Sequence, residues 1–175
     1  LLGDAMPVDL SLVYDPSFPC GFGGMPAGWR LSCVPYLSME PKRLFGSGFE
    51  HPLKESSNNS QLWFSKSGGL LLRYSGTGYE LTDYFDNAIA LFDQPGFASK
   101  LFIDGNEITI TNSTSGAAIS DWRGNSMVLS SSNGVTHFIF NGEEFFTLTR
   151  ASENTHFLFN DGEERILAVQ NDGHH

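Results

Sequence analysis

The chain has 175 residues, 40% of them hydrophobic, which suits one domain with a sizeable core or a part of a larger protein. Twenty acidic residues against ten basic ones give a net charge of −10. That balance excludes the basic patch that phosphate contacts require, so nucleic acid is not an expected partner, and it disfavours anionic membrane surfaces.

Fifteen Phe, 19 Gly and 8 Pro, with only 17% charged residues, describe a chain of aromatic strands and many turns. The first element follows from alternation: Val8, Leu10, Leu12 and Tyr14 against Asp9, Ser11 and Asp15. Asp15-Pro16 ends it. A glycine-rich hook runs from Cys20 to Gly28, and Trp29, Leu31 and Cys33 then form one face of a second strand, with Arg30 and Ser32 on the other. Pro35 breaks or edges that strand. Residues 38–60, rich in Pro, Gly, Ser and Asn, are expected to be a loop or insertion.

Gln61–Ser65 and Leu70–Tyr74 read as strands joined by a turn at Ser67-Gly68-Gly69, followed by a short strand near Tyr79–Thr82. Asp83–Asp93 fits a short helix, on the spacing of Tyr84, Ala88, Leu91 and Phe92, as well as a strand. From Lys100 onward hairpins recur. Asp104-Gly105, Asn141-Gly142 and Asp161-Gly162 each sit between apolar runs, and such pairs favour turns with positive φ. Thr136-His137-Phe138 returns as Thr155-His156-Phe157 nineteen residues later, and both copies continue through Phe-Asn to Gly-Glu-Glu. A hairpin-sized repeat of this kind stacks into an extended sheet. The expected organisation is residues 1–37 as opening strands with the hook, 38–60 as loop, and 61–175 as antiparallel hairpins, in one continuous sheet.

No constellation assigns a catalytic, cofactor-binding or metal-binding residue. The hook lacks the Gly-Lys-Ser/Thr of a phosphate loop, and a strand follows it rather than a helix N-terminus. Glu143-Glu144 and Glu163-Glu164 are sequence neighbours in strands, so each pair points to opposite faces and cannot converge on one bond. Solvent-facing edge charge is the simpler role. His137 and His156 occupy equivalent repeat positions, which suggests a structural part. Cys20 and Cys33 could meet across the hook or stay as two thiols. Trp63, Trp122, Tyr74 and Tyr79 could bind glycans if exposed, but an aromatic in an alternating strand is more often core than platform. Asn58-Asn59-Ser60 and Asn112-Ser113-Thr114 fit the glycosylation pattern. No stretch has the length of a membrane span, and LLGDAMPVDL lacks the features of a signal peptide. Position 1 is Leu, so the chain is expected to be a piece of a longer one, and His174 and His175 could be native or a tag remnant.

The segment MPVDLSLVYDPS, the glycine-rich hook and GWRLSCVPYL together resemble the opening of an RHS (rearrangement hotspot) or YD-repeat core. Pro7, Leu10, Ser11, Leu12 and Tyr14 match its first strand; Gly28, Trp29 and Leu31 match its Gly-Trp-x-Leu element. The hairpins at 124–146 and 155–173 resemble its pre-repeat segments. The resemblance implies an all-β, mainly antiparallel fold in which successive hairpins form a curved sheet, part of a β-cocoon shell. It implies a non-enzymatic segment without cofactor, whose partners are the remainder of the shell, its C-terminal toxin cargo and secretion-system or toxin-complex components. Such a protein is made in the bacterial cytoplasm and then secreted or delivered. The Asp-Pro-x-Gly self-cleavage motif is not in this sequence, and clear tandem Tyr-Asp repeats are not either. The hook, on this reading, turns one shell strand into the next.

Overall fold

The computed structural model describes residues 8, 10–16, 18–46, 50–65, 69–151 and 154–168. Their regular structure is antiparallel strand throughout, apart from one 3-10 turn at Phe22–Gly24. Strand β1 (Leu12–Tyr14) pairs with β2 (Trp29–Leu31), placing Leu12 opposite Leu31 and Tyr14 opposite Trp29. The hook between them therefore joins two paired strands. Val8 and Leu10 precede β1 without being strand; Pro7, Asp9 and Ser17 lie outside the described residues.

Residues 38–60 are a correction to the loop reading. They carry the end of β3 (Tyr36–Met39), then β4 (Lys42–Phe45), β5 (Glu50–Pro52), β6 (Lys54–Ser56) and the start of β7 (Asn59–Ser65). Their breakers fall between strands: Glu40-Pro41 makes the β3–β4 turn and Ser57-Asn58 the β6–β7 turn. Strands of three or four residues have too little periodicity to stand out from turn-rich sequence.

Next come β8 (Leu70–Tyr74), β9 (Tyr79–Asp83), β10 (Ala88–Phe92), β11 (Gly96–Phe97), β12 (Lys100–Ile103), β13 (Asn106–Ser113), β14 (Gly116–Asp121), β15 (Ser126–Ser132), β16 (Val135–Phe140), β17 (Glu143–Ala151), β18 (Asn154–Phe159) and β19 (Glu164–Ala168). Asp83–Asp93 is thus a turn and a strand, not a helix. Ser67 and Gly68, proposed as turn residues, lie outside the described residues, as do His174 and His175.

Three sheets form instead of one. Strands β6–β10 and β12–β19 make a thirteen-stranded meander, curved and not closed into a barrel. Between β10 and β12 the chain leaves it so that β11 can pair with β3, and β11, β3, β4 and β5 make a second sheet. Strands β1 and β2 are the third. Along the meander, buried residues alternate with outward ones: Ile108 and Ile110, Ala117 and Ile119, Met127 and Leu129, Phe138 and Phe140. The period of two gives each strand one apolar face. The two small sheets supply Leu31, Leu37 and Leu44 to the same core, so they cover that face.

The meander repeats in its hydrogen bonds as well as in its letters. Asn141 donates its backbone N–H to Ser126 O at 2.8 Å; nineteen residues on, Asn160 donates to Phe145 O at 3.1 Å. Their side chains repeat too, with Asn141 Nδ2 donating to Asn125 Oδ1 (3.2 Å) and Asn160 Nδ2 to Glu144 O (3.2 Å). These two turns are thus each bonded back to the preceding hairpin. A second, longer period of 38 residues relates β8–β10 to β13–β15. Ser75 and Ser113 close matching turns onto Gly78 O (3.2 Å) and Gly116 O (3.0 Å). A Cβ on either glycine would lie 2.6 Å or less from a carbonyl of the neighbouring strand, so both positions need Gly.

Candidate functional site

The hook does more than reverse the chain. Its 3-10 turn lies against β13, β14 and β15. Gly23 N–H donates to Asn112 Oδ1 (2.7 Å), and Ser131 Oγ donates to Gly23 O (2.8 Å). Gly23 has φ +64 and Gly24 φ +77, and Cβ atoms there would meet Leu129 Cδ2 at 2.9 Å and Thr114 O at 2.6 Å. Glycine is needed at both for backbone angle and for space. Phe22 is fully buried, with its ring 5.0 Å from Phe97. The hook is a plug on the covered face of the meander.

Strand β2 is enclosed on both faces. Trp29 packs on Tyr14 (5.1 Å) and edge-on to Phe157 of β18 (5.6 Å). Arg30, on the face opposite Trp29 and Leu31, is buried as well. Its guanidinium sits over the Phe18 ring (5.4 Å) and donates Nη1 to Gly46 O (2.9 Å). Burial pulls its pKa down, while the nearby Asp15 charge opposes that.

Beside the hook, a cleft of about 610 Å³ opens between Cys20, the β10–β11 segment and the end of β13. Its polar groups are largely committed: Ser99 Oγ donates to Asp93 (2.8 Å), and Asn112 holds Gly23. Burial pushes the Cys20 thiol up, against a smaller lowering by its hydrogen bond with Tyr36. It therefore stays protonated near neutral pH and is a poor nucleophile. Cys20 and Cys33 are both thiols, not joined in a disulfide, and both are half-buried.

The four aromatics considered for glycans separate. Trp63 is buried, and Tyr74 and Tyr79 are half-buried and lean on one another (5.0 Å), with Trp63 6.0 Å from Tyr79. Lys42 covers the Trp63 ring at 5.3 Å and pairs with Glu55 at 2.7 Å, and this holds the Glu55 carboxyl below its usual range. Trp63 Nε1–H has no partner in hydrogen-bond geometry; Glu55, opposite it on β6, feels it only weakly. Trp122 stands apart in the β14–β15 turn, 41% exposed, with Arg123 over its ring at 5.1 Å.

The repeated histidines each meet a carboxylate across their own hairpin. His137 Nδ1 lies 2.7 Å from Glu144, and His156 Nδ1 2.9 Å from Glu164. Of the remaining acidic pair, Glu163 binds Arg165 (3.1 Å). The two histidine–carboxylate pairs are cross-strand pairs on the uncovered face of the sheet. Among the described residues no group of three His, Cys, Asp or Glu could hold a metal ion, and no helix is long and apolar enough to cross a membrane.

Two turns escaped the sequence reading although their signal is present as Asp-x-x-x-Asn. Asp83 Oδ1 accepts from Phe85 N (2.8 Å) and Asn87 N (2.9 Å), and its Oδ2 accepts from Asn87 Nδ2 (2.8 Å). Asp121 does the same with Arg123 N, Asn125 N and Asn125 Nδ2, each at 2.9 Å. The fourth residue has positive φ in both, Asp86 at 66° and Gly124 at 88°. The Asn87 side chain, then its backbone N–H, holds the Asp83 carboxyl below the usual range. Burial pushes Asp121 up, but the Asn125 contacts and Arg123 outweigh it and leave it low. These rigid turns present Tyr84 and Phe85, 78% and 83% exposed, and Trp122.

The chain matches no protein-family model, no curated protein and no solved structure.

Proposed function

We propose that this chain is a non-enzymatic wall segment of an RHS-type shell, which encloses a C-terminal toxic domain for delivery. One observation carries the reading: the last hairpins of the meander repeat after nineteen residues, and in both copies the turn asparagine, Asn141 or Asn160, is bonded back to the preceding hairpin. A sheet built on such a rule extends by adding hairpins, as a wall does. The Gly-Trp-x-Leu element and the hook fit the same reading, because they place a plug and a buried Trp29 under the sheet. Containment then rests on backbone pairing and one continuous apolar face.

The test is to read the coding DNA on either side of this segment. Tandem Tyr-Asp repeats running on to an Asp-Pro-x-Gly motif and an unrelated tail are the expected result. A stop codon directly after His175 would overturn the proposal and leave a free-standing β module.

A further inference from the structure

The two clamped turns differ in one informative way. Thirty-eight residues apart, Tyr84 takes the place of Trp122, Phe85 that of Arg123 and Asp86 that of Gly124. In the second turn the aromatic ring is served by its own cation, since Arg123 lies over Trp122 at 5.1 Å. In the first turn the cation is replaced by a second aromatic and a carboxylate is added. Tyr84 and Phe85 project into solvent edge-to-face, 6.0 Å apart, and are the most exposed large apolar side chains among the described residues. Aromatics held so far out by a rigid turn lose little entropy on binding.

The charges around them point one way. Among the described residues, Glu80, Asp83 and Asp86 gather there against one cation, Arg73, which lies 3.8 Å from Glu80 and 3.7 Å from Asp86. A second copy of this rim would bring the same sign and repel. Phosphate ligands and anionic lipid are disfavoured likewise. A sugar would look for free amide and carboxylate partners, but those of Asp83 and Asn87 are spent on the clamp. An aromatic face beside carboxylates is the recognised setting for an arginine or lysine head.

We propose that the Tyr84–Phe85–Asp86 turn is a docking tip for a basic side chain of a partner protein, arginine above all, which takes in trans the place that Arg123 takes on Trp122. The surface does not depend on the shell reading.

The probe is a short peptide alternating arginine and glycine, with a glutamate–glycine peptide as control, followed by the amide resonances of residues 83–87 and by fluorescence anisotropy. The arginine peptide is expected to shift those resonances, and binding should weaken with salt. Tyr84→Ser with Phe85→Ser should weaken it about tenfold or more, as loss of an aromatic anchor does. Phe85→Arg should block it, because it rebuilds the Trp122–Arg123 arrangement in cis. Glu144→Gln with Glu164→Gln, equal in charge to a loss at Glu80 and Asp86 but on the hairpins of β16–β19, should leave it nearly unchanged. If the double serine variant does not fold, Phe85→Ser alone replaces it. Shifts spread over the whole acidic surface, equal weakening by the Glu144/Glu164 control, unchanged binding in the aromatic variants, no binding at all, or aromatic-dependent binding of a neutral oligosaccharide such as cellohexaose would each overturn the proposal.

Discussion

Asn141 donates its side-chain amide to Asn125 Oδ1 at 3.2 Å, and so ties one hairpin turn to the preceding one across the edge of the sheet. The same side chain accepts from Ser126 N at 2.8 Å through its own Oδ1. Both ends of one amide are used, and the backbone at φ 48° holds it in place. Asn141→Gly keeps that backbone angle and removes only the side-chain bonds. A loss of about 1–2 kcal/mol is expected, one modest net hydrogen bond each. Asn141→Ala should lose about 1 kcal/mol more from left-handed strain. Urea unfolding of the two variants separates the contributions; equal stability of Asn141→Gly and wild type would remove the staple as an energetic device.

Trp29 is the buried anchor after the hook, held between Tyr14 and Phe157. It links the β1–β2 pair to the far end of the meander, more than a hundred residues away in sequence. Trp29→Ala should cost about 3–5 kcal/mol, as large aromatics do when truncated in a core. Trp29→Phe should cost less, since most of the ring contact survives. Thermal unfolding of the alanine variant within a degree or two of wild type would show that the β1–β2 pair is not anchored there.

What the sequence made legible was local. Asp104-Gly105 and Asn141-Gly142 announced their turns because positive φ at both residues is a local demand, met here at 51° and 77°, and at 48° and 87°. The all-β antiparallel class followed from alternation and turn chemistry in the same way. The plug was not legible, because its partners are long-range: Gly23 meets Asn112 across 89 positions and Ser131 across 108. The burial of Arg30 was not legible either, since nothing in its neighbourhood shows that Phe18 and Gly46 will enclose it. The 38-residue period was hidden because it survives at turn positions such as Ser75 and Ser113 or Asp83 and Asp121, while the strand residues between them need only stay apolar on one face. Trp63 takes the core role that is commoner for an aromatic in an alternating strand, although such a strand carries no sign of which face will be covered.

Gly23 tests the plug directly. Gly23→Ala asks for left-handed backbone in a residue with a Cβ, and places that Cβ 2.9 Å from Leu129 Cδ2 and 3.0 Å from Ala117 Cβ. The strain alone costs about 1–2 kcal/mol, and the contact falls on core side chains that must shift. A total of about 2–4 kcal/mol is expected. Gly76→Ala is the control, because it shares positive φ but has no neighbour within 4 Å, so it should show the strain without the clash. Similar losses at the two positions would mean that the hook does not press on β14 and β15.

Asp121 gives the pH dependence. Its carboxylate accepts from Arg123 N, Asn125 N and Asn125 Nδ2, and its pKa in the folded chain lies below the ordinary value despite burial. In the unfolded chain the group titrates near the reference value of about 3.9. The folded form therefore binds its proton less readily, and the clamp contributes in full above that value and fades as pH falls through the lower folded one. Asp121→Ala should be less stable than wild type at neutral pH by about 1.5–3 kcal/mol, the range for hydrogen bonds to a charged group. The gap should narrow as pH falls below about 4. Asp83→Ala, in the exposed copy of the same turn, should show the same trend with a smaller loss, because solvent screens it. Guanidinium unfolding across that pH range decides the matter: a gap between wild type and Asp121→Ala that stays constant would show that the side chain holds the turn by shape rather than by charge.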